Sequence, residues 1–347
     1  METKAAIVLP DQTVTERESR AFFIIKAFAI FSVLVSHLSN VICDQGILVT
    51  VTTAALEPWS MIGVPIFIAV SGFFYRRKPH DTWSFWKKKG MTIILPWIIA
   101  GILRNLVDIV LYHSREPFFY YVQRVLGFNS SFYFPFLLIM LFALFKLIGG
   151  KPVLLWVSIG VNALSLILEG LGWNYISTFL GTPSLNDFNW AGFFALGMLA
   201  RRHRWDRKLI QSRAAGWISV AVFAVLFGAV VYNAVTKGGA TYYRLDSAVF
   251  EFSALLALYV LSYGLACRKQ RILTEIGACT YCVYLYHLVI VTGLLSLLDL
   301  PAALTAVMPF FGLAIMMGLI EAGKWLCKLL KIKWPLILVG LKGLDPI

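Results

Sequence analysis

The sequence predicts an all-α fold, a polytopic membrane bundle of about ten transmembrane helices with both termini cytoplasmic. Three observations predict it. Hydrophobic residues make up 59% of the 347 and charged residues 14%, with a mean hydropathy of +0.77, a composition no water-soluble domain shares. Apolar runs of membrane-spanning length recur along the whole chain. Basic residues outnumber acidic ones 31 to 18, for a net charge of +13, and they gather in clusters between alternate runs, as the positive-inside rule requires. That placement argues against nucleic acid as the reason for the excess.

Taken in order, residues 1–19 are polar, contain Pro10 and read as a mobile cytoplasmic tail; residues 20–335 are a membrane domain and 336–347 a cytoplasmic tail. Span one covers about 21–42 and span two about 56–75, where Arg76, Arg77 and Lys78 mark a cytoplasmic exit. Residues 79–90, PHDTWSFWKKKG, are short, aromatic and basic, as in a helix lying in the membrane interface. Spans three to six fall near 91–112, 132–149, 153–171 and 189–200, the last leaving through RRHRWDRK. Spans seven to ten fall near 214–235, 246–266, 276–297 and 302–326, before the basic tail KLLKIK. No small-residue cleavage site follows span one, so it is not read as a cleaved signal peptide.

Span one carries two residues that a bilayer disfavours, Lys26 and His37. At about 100° and 1.5 Å per residue, the eleven steps between them return to within about 20° of one helix face, roughly 16 Å further along. A shared face is what a site needs and what a snorkelling lysine does not. Four further polar features lie inside spans. Arg104 and Asp108, four apart, can pair on one face of span three, either lining a cavity or satisfying each other. His287, with Tyr284 and Tyr281 before it, forms a polar stripe on span nine. Glu169 and Glu251 are membrane carboxylates that could serve Lys26 or Arg104 as counter-ions. Cys279-x-x-Cys282 invites a metal, but within an apolar segment the two thiols read as small hydrophobes, and no metal is expected.

Five stretches in register resemble acyltransferase family 3 of integral membrane proteins. They are Lys26 followed by His37 in span one, GVPIFIAVSGFFY at 63–75, KKKGMTIILPW at 87–97, FFALGMLARR at 193–202 and ACTYCVYLYH at 278–287. The chain departs from the family pattern in three places. Lys26 stands where arginine is usual, Lys89 is followed by Thr92 rather than a second basic residue, and Phe132-Tyr133-Phe134-Pro135-Phe136 replaces a Trp-Phe-Leu element. No appended extracytoplasmic domain is expected after span ten.

The resemblance implies transfer of an acetyl or other short acyl group from cytoplasmic acyl-CoA to a hydroxyl of a cell-envelope glycan or lipid-linked sugar, in a bacterial plasma membrane. His37 is the candidate base or acyl carrier, since an imidazole titrates in the required range. Lys26 would hold a CoA phosphate or stabilise the thioester oxyanion. Lys89, Arg76, Arg77, Lys87 and Lys88 are candidates for the anionic nucleotide end of CoA, with Lys89 favoured by motif position. Arg104, Asp108, Tyr284, His287 and Glu251 are candidates for the acceptor cavity. Expected partners are acyl-CoA, the glycan or lipid-linked sugar and membrane lipid, with homodimerisation left open. Two competing readings are a glycan or lipid transporter, against which no internal repeat is visible, and a non-catalytic subunit of a polysaccharide-synthesis complex.

Overall fold

A computed structural model of the chain describes residues 13–38, 47–76, 82–111, 113–128, 132–237, 242–292 and 307–341. Among the described residues the regular structure is helical throughout, with no strand, which bears out the predicted fold class. Among the described residues eight helices are long and apolar enough to cross a membrane, and the shorter apolar helix Tyr133–Ile148 accompanies them.

Helix α1 (Glu16–Leu38) starts inside the stretch read as a mobile tail. The cause is a reciprocal cap. The Glu18 amide donates to Thr15 Oγ1 at 3.2 Å, and the Thr15 amide donates to Glu18 Oε2 at 2.7 Å. Span two is two helices, α2 (Ile47–Met61) and α3 (Gly63–Phe74), bent at Ile62. Pro65 has no amide to continue the ladder, and Pro58 lies inside α2. The predicted interfacial helix is not separate. α4 (Thr82–Lys89) runs through a π-helical turn at Gly90–Ile94 into α5 (Leu95–Leu111) as one element. The turn frees the Ile93 carbonyl, which accepts from the Tyr281 hydroxyl at 2.7 Å.

After α6 (Phe118–Val125) and α7 (Tyr133–Ile148), Pro152 opens α8 (Pro152–Gly170) at a position where its missing amide is harmless. The short α9 (Tyr175–Leu180) and two 3-10 turns lead to α10 (Ala191–His203) and α11 (Trp205–Gln211). The remaining long helices are α12 (Arg213–Lys237), α13 (Leu245–Leu265), α14 (Arg271–His287) and α15 (Met308–Leu329). The last expected tail begins inside α16 (Trp334–Leu338), because Leu336 and Leu341 are buried in the core that holds Val283 and Leu285.

α1 is the axis of the bundle. Its Ala27, Ile30, Val33 and Leu34 enter one apolar core with α7, α10 and α14, while Ala21, Phe22, Ile24, Ile25 and Ala29 enter a second with α13. A helix apolar on all sides has to be central. α14 runs parallel to α1, with Gly277 against the Phe23 backbone near one end and His287 against His37 near the other. α13 runs antiparallel, since Arg17 donates to the Tyr263 carbonyl at 3.1 Å and the Phe22 and Tyr259 rings lie 5.3 Å apart. The C-terminal end of α1, the C-terminal end of α14 and the N-terminal end of α13 therefore share one end of the bundle. Glu18, Arg204, Asp206 and Arg207 occupy the other.

Candidate active site

His37 and His287 meet at the shared end, with ring centroids 5.1 Å apart and planes tilted by 39°. The His287 side chain is fully buried. Its Nδ1 lies 2.7 Å from the Tyr284 carbonyl and 3.1 Å from that of Val283. Carbonyl oxygens only accept, so the proton sits on Nδ1 and Nε2 presents a lone pair. That Nε2 is buried with no hydrogen-bond partner. Buried polar atoms are rarely left this way, and the exceptions concentrate where a reacting group is to be met. A π-helical turn, Leu288–Thr292, follows directly and re-aims the backbone beyond the imidazole.

Arg104 reaches this turn from α5, where its Nη1 donates to the Leu288 carbonyl at 2.9 Å. It interacts electrostatically with both imidazoles. The predicted pairing with Asp108 is present at 3.4 Å, but Asp108 is shared: Arg124 of α6 approaches its other oxygen at 2.5 Å. Asn105 ties the same helices by donating to the Tyr121 carbonyl at 2.9 Å. The carboxylate thus anchors two cations, one of which serves the histidine pair.

Lys26 stays apart from these groups. It shares α1 with His37, but the helix rise separates them by roughly 16 Å, and its Nζ lies 4.3 Å from the Phe23 ring centroid. Lys89 packs its Nζ 3.7 Å from the Phe142 ring centroid, whereas Lys87, Lys88 and Arg76 are exposed. Arg77 lies outside the described residues. Tyr281 leaves the expected stripe for the Ile93 carbonyl, because six residues turn it to another face of α14. Tyr284 stays, its ring 6.0 Å from that of His287.

Neither membrane carboxylate serves as the predicted counter-ion. Glu169 accepts from Asn189 at 2.9 Å and from the Ser177 hydroxyl, inside a knot of buried asparagines and serines. Glu251 is 5% exposed, makes no hydrogen bond among the described residues and lies within electrostatic reach of Tyr133, Tyr242 and Tyr243. Cys279 and Cys282 are free and buried, and no group of three or more potential ligands is found among the described residues.

A family profile described as an acyltransferase domain matches residues 21–323. The chain belongs to acyltransferase family 3. No curated protein and no solved structure matches it. It is a membrane acyltransferase, and the matched region encloses the histidine pair, Arg104, Asp108 and Glu251.

Sequence reasoning missed three groups of residues. Arg124 stands on α6, outside the apolar runs, where nothing in the spacing points to Asp108. Tyr133 is far in sequence from the adjacent Tyr242 and Tyr243, and no spacing links them. At the opposite end, Glu18 accepts from Arg204 at 2.9 Å and from Arg207 at 2.6 Å, and both arginines also donate to the Thr13 carbonyl. The Thr15-x-x-Glu18 spacing was a readable signal for the start of α1, though not for these partners.

Proposed function

We propose that this protein transfers an acetyl or other short acyl group from acyl-CoA, presented at the cytoplasmic face, to a hydroxyl of a cell-envelope glycan or lipid-linked sugar. The observation that carries the reading is the His37–His287 pair, one imidazole offering a buried, unpartnered Nε2 beside the other. In the proposed step the acceptor hydroxyl gives its proton to His37 as its oxygen attacks the thioester carbonyl. The tetrahedral intermediate collapses with loss of the CoA thiolate, which takes up the proton. His287 orients His37, and Arg104 faces the developing oxyanion from the turn that follows His287. If His37 instead carries the acyl group, the same pair works in two half-reactions. Lys26, most of a membrane leaflet away, fits a phosphate or the pantetheine arm of the donor better than the reacting carbonyl. Arg76, Lys88 and Lys89 lie towards the basic end, where a nucleotide would arrive. A bacterial plasma membrane is the setting this reading implies.

The test is transfer from radiolabelled acetyl-CoA, then succinyl-CoA, in inside-out membrane vesicles, comparing wild type with His37→Ala and Lys26→Ala at matched expression. Label that reaches a glycan or the protein and is lost in His37→Ala supports the reading, and a weaker apparent donor affinity in Lys26→Ala places Lys26 at the donor. Equal labelling in His37→Ala, or none from either donor, overturns it.

A further inference from the structure

We propose that Lys89 and Lys146 together form a phosphate-binding site at the basic end of the bundle, with Lys146 as its second cation. Naming acyl-CoA as one source of that phosphate rests on the acyl-transfer reading, whereas the site itself rests on geometry. α4 and α7 each carry an aromatic ring and, four residues later, a lysine: Phe85 with Lys89, and Phe142 with Lys146. Residues four apart share a helix face. The contacts then cross between the two helices. Lys146 Nζ lies 4.7 Å from the Phe85 ring centroid, while Lys89 Nζ lies 3.7 Å from that of Phe142 and 5.6 Å from that of Phe85. The two rings stand edge to face, 6.1 Å apart at 84°. Tyr75 completes this aromatic floor, 6.1 Å from Phe85 and 6.0 Å from Phe142, and Phe194 backs Phe142 at 5.7 Å.

A lysine that only anchors a membrane helix snorkels, running outward until its ammonium reaches the headgroups. Here two ammonium groups from different helices turn inward over one shared ring. Their separation is at most about 10 Å, the Debye length at 0.1 M salt, so each feels the other's charge. The ring faces offset part of that repulsion but supply no acceptor oxygen. The Lys146 ammonium makes no hydrogen bond or ion pair among the described residues. An ammonium has three donors, and a phosphate meets those of both lysines through charge-assisted hydrogen bonds. Arg76, which follows Tyr75, and the exposed Lys87 and Lys88 add positive charge that draws an anion towards the pair. Both lysines and Phe85 are half-buried, so the pair is reached from outside the bundle. Two sources present this chemistry, the nucleotide end of the donor and anionic lipid headgroups.

The experiment measures binding to the full chain in nanodiscs, with desulfo-CoA as a probe that keeps the phosphates and has no thiol to acylate. In phosphatidylcholine discs, Lys146→Met is expected to weaken desulfo-CoA binding about tenfold and Lys146→Arg to restore it. Lys151→Met, at an exposed lysine beyond Gly150, is expected to leave it unchanged. A second arm uses discs containing phosphatidylglycerol and counts, by native mass spectrometry, the lipid that the protein retains. Loss of desulfo-CoA binding in Lys146→Met assigns the phosphate to the donor, and loss confined to phosphatidylglycerol retention assigns it to lipid. Unchanged binding of both overturns the proposal. Lysine-acylation footprinting of the wild type gives a reading that needs no variant: the bound probe should slow modification of Lys89 and Lys146 together, and protection of neither by either probe overturns the site. Desulfo-CoA supports no transfer, so Lys146-dependent binding without His37-dependent labelling would sink the acyl-transfer reading alone. His37-dependent labelling, with both probes binding Lys146→Met as they bind wild type, would sink this one alone.

Discussion

Arg124 meets Asp108 at 2.5 Å, closer than Arg104, which lies 3.4 Å from the same carboxylate one helical turn away. Asp108 is therefore a shared counter-ion, and the position of Arg104 beside the histidine pair depends on a residue from a different helix.

Removing the shared partner should hurt more than removing either cation. Asp108→Ala leaves two partly buried guanidiniums uncompensated and is expected to destabilise the protein by about 3 kcal/mol, whereas Arg124→Ala leaves Asp108 still paired. Thermal unfolding of the detergent-solubilised variants ranks them. A lower midpoint for Arg124→Ala than for Asp108→Ala would contradict the arrangement.

His287 makes two separable contributions. In His287→Asn the side-chain amide can still donate to the Tyr284 carbonyl, but the free Nε2 facing His37 is lost. Folding is expected to persist while transfer falls by about a hundredfold or more. The check is rate per folded protein, measured beside the melting curve.

α1 and α14 touch through Gly277. A Cβ there would run into the Phe23 carbonyl, so Gly277→Ala should push the helices apart and cost about 1–3 kcal/mol. It should also displace His287 relative to His37 and lower the rate about tenfold or more. Gly264→Ala is the control, since nothing lies within 4 Å of its added methyl and the helix gains up to about 1 kcal/mol.

The loop carboxyl Asp187 predicts a pH dependence of stability. Burial pushes it up to about 7, and its Oδ1 has no hydrogen-bond partner. The folded state then holds this proton more tightly than the unfolded chain, whose aspartates titrate near about 4. Its contribution is present in full below about pH 4 and is lost as pH rises through 7. Asp187→Asn keeps the neutral shape, so its melting advantage over wild type should be small near pH 4, grow as pH rises and be full at pH 8.5. A variant that melts below wild type at pH 8.5 would refute the assignment.

The helical class could be read from hydropathy, because a lipid environment forces each crossing segment to satisfy its own backbone. His37 could be read because an imidazole in an apolar run stands out. Lys26 stood out equally, and the helical rise already put it roughly 16 Å from His37. What could not be read was tertiary pairing. Asp108 shows its i−4 neighbour in sequence, but Arg124 comes to it only once α6 folds back. Tyr133 and the adjacent Tyr242 and Tyr243, within electrostatic reach of Glu251, come from two separate segments. The start of α1 was misplaced although Thr15 and Glu18 carry the capping spacing, because the polar run before it looked like a tail.

The parallel contact of α1 and α14 also bears on biosynthesis. α1 emerges first from the ribosome, whereas the imidazole that completes its site lies near the other end of the chain, after most of the remaining helices. Until α14 is inserted, His37 has no partner ring, and the two apolar cores around α1 lack their closing walls. Assembly of the histidine pair is thus a late event that must wait for nearly complete translation, and nascent chains stalled before α14 should depend on membrane insertion factors to shield α1.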